Sequence, residues 1–153
     1  MLDKKIKLHL SLSDIFNKLG TDLSQWVADL TRLLEKSPSR KLTASLSWEF
    51  VNKQITRKIE KWYVLVQDAI DNTEVILVEN EIDQLTPEIE QHIRNIFEPT
   101  LIEYQNKGKE FVSKYASISS NVDPKIWLEL TDIVFEITIE NILSILKEMF
   151  DER

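Results

Sequence analysis

The strongest constraint on this chain is the recurrence of apolar side chains at three- and four-residue steps over long stretches with almost no turn residues. Val51, Ile55, Ile59, Trp62, Val66 and Ile70 would place one apolar stripe along a single helix. Leu23, Trp26, Val27, Leu30, Leu33 and Leu34 repeat the pattern upstream. Only 2 glycines and 4 prolines occur in 153 residues, fewer than the turns of a sheet protein would need. The expected fold is therefore all-α, a single multi-helix bundle of about five to six helices.

Residues 1–12 depart from this pattern. Ile6, Leu8, Leu10 and Leu12 alternate with Lys5, Lys7, His9 and Ser11, which is a strand period with no second strand to pair with. The stretch reads as a candidate extended arm or as a misleading piece of helix, with the bundle spanning 13–153. Ser13-Asp14 looks like a helix start, Gly20 a stop, and Thr21 or Asp22 a cap for a helix to about Lys36. Pro38 marks a loop, and a long helix is expected from about Thr43 to Ile70, broken at Asp71-Asn72. A shorter helix should cover Glu74 to Leu85. Thr86-Pro87-Glu88 combines a cap, a proline at the first helical position and an acid in the first turn. That helix should end at Phe97-Glu98, with Pro99 restarting or kinking it and Gly108 weakening its continuation to Tyr115. Asp123-Pro124 opens a last helix to about Phe150, apolar on nearly all sides except a stripe of Glu129, Asp132, Glu136 and Glu140.

The sequence contains no cysteine, which excludes disulfides and thiolate metal ligands. The longest apolar runs, such as 62–66, fall far short of the roughly 20 residues that span a bilayer, and MLDKKIKLHL lacks the apolar core of a signal peptide. A cytoplasmic protein without membrane contact is expected. Chemistry is not: no phosphate-binding glycine loop occurs, and His92 stands four residues from Glu88, where di-metal bundles need Glu-x-x-His twice. His9 lies far away in sequence. No enzyme, metal or cofactor is expected.

The positive signal is charge layout. Net charge is −7, yet residues 1–61 hold 12 Lys+Arg against 7 Asp+Glu while residues 62–153 hold 7 against 19. Arg32, Lys36, Arg40, Lys41, Lys53, Arg57, Lys58 and Lys61 face only Glu35, Glu49 and Glu60 in the same stretch. Lys53, Arg57 and Lys61 are four apart and form a ridge pointing away from the core, with Lys58 on its flank. Such a ridge beside a basic loop suits RNA or DNA backbone, because each phosphate contact is electrostatic and independent of base sequence. Trp48 and Phe50 are either core or platforms for base stacking. The same cations could instead neutralise acidic surfaces, within the chain or on a protein partner, so a protein-only adaptor or regulator is the competing reading.

A cysteine-free helical bundle of this length, with one basic face at Arg32–Lys61 and no active-site motif, resembles the small α-helical subunit of CRISPR effector (Cascade-like) complexes. The resemblance spans the whole chain as architecture and charge layout, without a short diagnostic motif. It implies a non-catalytic part in an RNA-guided antiviral defence complex. The partners implied are other subunits, including copies of itself, and nucleic-acid backbone held without sequence specificity. The acidic second half departs from that pattern and would then face protein neighbours.

Overall fold

A computed structural model describes residues 2–35, 44–116 and 122–152, with side chains from residue 6 in the first stretch and from residue 48 in the second. The described residues form five helices and no strand: α1 (Leu2–Glu35), α2 (Ala44–Glu79), α3 (Pro87–Tyr115), α4 (Pro124–Glu136) and α5 (Ile139–Asp151). The fold is the expected all-α bundle.

Helix α1 replaces the expected arm and runs through the expected stop. Residues 2–12 are helical because Leu8 and Leu12 extend the stripe that continues through Phe16, Leu19, Leu23, Trp26 and Leu30. Ile6 and Leu10, the other members of the alternation, remain exposed. A lone strand would leave its backbone groups without partners, whereas a helix pairs them internally. Gly20 does not end the helix; it lets α3 approach, since a Cβ there would lie 2.8 Å from Thr100 Cγ2.

Helix α2 also outlasts its expected break. Asp71 and Asn72 face solvent, while Ile70, Thr73 and Leu77 carry the buried stripe onward. The Thr73 hydroxyl is satisfied by donating to the Ala69 carbonyl at 2.7 Å. The helix closes in a Schellman arrangement: the Ile82 amide donates to the Leu77 carbonyl at 3.0 Å and the Glu81 amide to Val78 at 3.0 Å. Glu81 takes the left-handed position (φ 63°) that glycine usually fills.

Thr86 caps α3 as expected, accepting from the Ile89 amide at 3.3 Å with Pro87 behind it. The helix continues through both Pro99 and Gly108. Asp123 caps α4, accepting from the Lys125 amide at 2.9 Å. The single last helix of the sequence reading is two helices. Ile137 and Thr138 leave helical geometry, and Thr138 recaps the chain by accepting from the Asn141 amide at 3.2 Å. The break explains why one helical wheel looked apolar all round. Helix α4 buries Ile126, Leu130, Ile133 and Val134, whereas α5 buries a separate face with Ile142, Leu143, Leu146 and Phe150.

One core joins all five helices. Helix α1 lies against α2 and α3, and α4 and α5 each pack on α3 and α2. Polar ties are few and specific. Trp62 Nε1 donates to the Tyr104 hydroxyl at 2.6 Å inside the core, where burial pushes that phenol well above its usual range. Trp26 Nε1 reaches the Lys58 carbonyl at 2.6 Å, and the Tyr115 hydroxyl reaches Glu35 at 2.7 Å. Among the described residues, no helix is long and apolar enough to cross a membrane.

Candidate nucleic-acid interface

The buried stripe of α2 (Val51, Ile55, Ile59, Trp62, Ile70) fixes which residues point outward. At about 100° per residue, Lys53, Arg57 and Lys61 fall opposite that stripe, and all three are exposed. They rise along the helix over about 12 Å. None has an ion-pair partner among the described residues. Phe50 belongs to the same outer face and is 59% exposed, whereas Trp48 is partly buried against the core. The two aromatic residues thus divide: Trp48 supports packing, and Phe50 is the one available for stacking.

The other cations are placed differently. Lys58 Nζ turns to α1 and bonds Asp29 at 3.2 Å, and Arg32 pairs with the same carboxylate. Burial would push Asp29 up, but hydrogen bonds from Gln25, Lys58 and Arg32 outweigh it and hold its carboxyl below the usual value of 3.8. Asp29 therefore ties Lys58 of α2 to α1 and holds Arg32 within α1. The expected site residues Lys36, Arg40 and Lys41 lie outside the described residues.

The acidic stripe also divides. Glu129, Asp132 and Glu136 lie towards Tyr63 of α2; burial first and then these three acids raise its phenol. Glu140 instead accepts from Arg94 at 2.7 Å, an α5–α3 tie. Helix α2 thus carries an exposed basic ridge on its outer side while Tyr63 on its flank feels the negative charge of α4.

Outside this surface, the two histidines meet. The His9 and His92 rings are 5.3 Å apart, on α1 and α3, beside an open cleft of about 510 Å³. His92 Nε2 is buried without a hydrogen-bond partner among the described residues. Burial, and then the neighbouring His9, lowers its pKa from 6.5. Because the folded value lies below the unfolded one, this site's stabilisation is present above pH 6.5 and fades as pH falls through the lowered value. Replacing His92 with Gln should therefore make thermal stability less steeply dependent on pH below 6.5, as read by melting curves across that range; an unaltered slope would exclude the pair as its source. Among the described residues no group of three or more His, Cys, Asp or Glu is placed to hold a metal ion. No protein-family model, curated protein or solved structure matches the chain.

Proposed function

We propose that this protein is a non-catalytic helical subunit of a nucleic-acid-handling assembly, holding RNA or DNA backbone on the outer face of α2 without reading its sequence. The observation that carries this reading is the ridge of Lys53, Arg57 and Lys61, exposed and without ion-pair partners among the described residues. Three cations one helical turn apart offer a phosphate backbone successive charge-assisted contacts. Phe50 on the same face offers one base a stacking surface. Lys58 would act indirectly, by holding α1 and α2 in place through Asp29. The kind of assembly is proposed from the resemblance in architecture and charge layout to the small subunit of CRISPR effector complexes.

The test is filter retention of unlabelled-sequence oligonucleotides, single- and double-stranded, over a series of salt concentrations. Wild-type protein should bind weakly, with affinity falling as salt rises. A Lys53→Ala, Arg57→Ala, Lys61→Ala variant should bind about tenfold more weakly or worse, with a salt slope shallower by about 2 to 3. Unchanged affinity and slope would overturn the site. No retention of wild type at low salt would overturn the nucleic-acid reading in favour of a protein-only adaptor.

A further inference from the structure

We infer that the outer face of α2 is also a self-complementary interface on which two copies of this chain pair antiparallel about a two-fold axis at Val64. The face continues past the basic ridge. Val64, Val75 and Val78 are 57%, 48% and 38% exposed, and with Phe50 they give a solvent-facing helix an apolar component it does not need for folding. Asp68 and Asp71 are exposed between them. The outer residues recur at three- and four-residue steps from Phe50 to Val78, so they line one seam about 42 Å long.

The pattern along that seam is complementary to its own reverse. With Val64 opposite the partner's Val64, Arg57 and Asp71 stand seven residues either side of the axis and face one another across it. Phe50 and Val78, fourteen residues either side, meet in the same way. Lys61 and Asp68 lie three and four residues from the axis and on the same edge of the seam, because a two-fold axis in the interface plane preserves the edge. Arg57 and Lys61 thus each meet an acid, twice by symmetry, between apolar contacts at the centre and ends, while Lys53 stands opposite Val75. Gln67 Nε2 already holds Asp71 by one carboxylate oxygen at 2.9 Å. The opposite, parallel register would set Arg57 against Arg57 and Asp71 against Asp71, which disfavours it.

The pairing needs no nucleic acid and stands apart from the proposed function, but it covers Lys53, Arg57 and Lys61. The same face cannot hold a second copy and a phosphate backbone at once, so nucleic acid should compete with the dimer.

Sedimentation of the full chain tests the pairing directly. Wild type is expected to be a concentration-dependent dimer. Arg57→Asp and Asp71→Arg should each weaken it, and the double exchange should restore it. Val64→Glu, which sets two like charges face to face, should weaken it roughly a hundredfold. All three substituted positions are exposed, and circular dichroism checks that each variant remains helical. A wild-type monomer at every concentration would overturn the inference, as would a double exchange that fails to restore pairing or a dimer indifferent to Val64→Glu. Asp71→Arg separates the two readings: it weakens the dimer but keeps every cation of the ridge, so oligonucleotide retention should persist. Absence of retention in both the wild type and Asp71→Arg would sink the proposed function and leave the dimer standing.

Discussion

Replacing Phe97 with alanine is expected to cost about 3–5 kcal/mol, the usual range for removing a buried phenylalanine. Phe97 is 1% exposed and packs on Phe16, joining α3 to the middle of α1. Its place in the helix raises the stakes. Pro99, two residues on, lacks the amide that would bond the Asn95 carbonyl, so the α3 backbone is weakest where Phe97 anchors it. A large cavity at that point removes the packing that holds a proline-containing helix straight against α1. At about 2–4 °C per kcal/mol for a chain of this size, the melting temperature should fall by roughly 10 °C. Thermal unfolding followed by circular dichroism reads this out. A fall of only a degree or two would mean that α1 and α3 do not depend on this contact.

The second large effect is expected at Gly108. A Cβ there would meet Val134 Cγ1 at 2.7 Å, Cγ2 at 2.8 Å and Cβ at 3.3 Å, so both methyls and the branch point of one β-branched side chain block it. Val134 is itself buried on α4 and has few rotamers to escape into. Gly108→Leu should therefore push α4 from α3 and cost about 3 kcal/mol, at the upper end of ordinary overpacking. Gly108→Ala should lose less, because better helix propensity returns about 1 kcal/mol. Val134→Ala in the Gly108→Leu background should recover much of the loss. Gly20→Ala is the contrast: its Cβ would approach only Thr100 Cγ2 closely, and rotation of that side chain clears the space. It should be neutral or slightly stabilising. Chemical denaturation of the four variants tests the ordering; equal losses at Gly20 and Gly108 would refute the close-approach account of both.

These two glycines also show where sequence reading stops. In a helical period, glycine signals a stop or a weak point, and the pattern predicts a stop at Gly20 and a weak point at Gly108. Both instead sit inside helices at crossings, and what they make room for, Thr100 and Val134, is distant in sequence. The end of α2 was misplaced for the converse reason. Its Schellman turn uses Glu81, so the chain carries no glycine there to announce it. The break at Ile137-Thr138 did have a signal, a capping threonine with an acid, Glu140, in the turn behind it, hidden by apolar residues on both sides. In the candidate site, the outward direction of Lys53, Arg57 and Lys61 was legible because it follows from helical period alone. The pairing of Lys58 with Asp29 is not, since an ion pair between helices depends on how they cross, whereas the Arg32–Asp29 pair lies within α1 at a three-residue step.

By itself the sequence determined that this chain is helical, because its apolar residues recur at the helical period and turn residues are scarce. It also determined which side of α2 carries charge, because one buried stripe fixes the opposite face. Tertiary structure decided what local pattern cannot: that residues 2–35 form one helix, that the last helix is two, and that His9 meets His92. It also decided which cations are occupied by neighbouring helices and which remain exposed. The physical reason is the same in each case: helical period acts within a few residues, whereas close approach, burial and pairing are set by segments far apart in the chain.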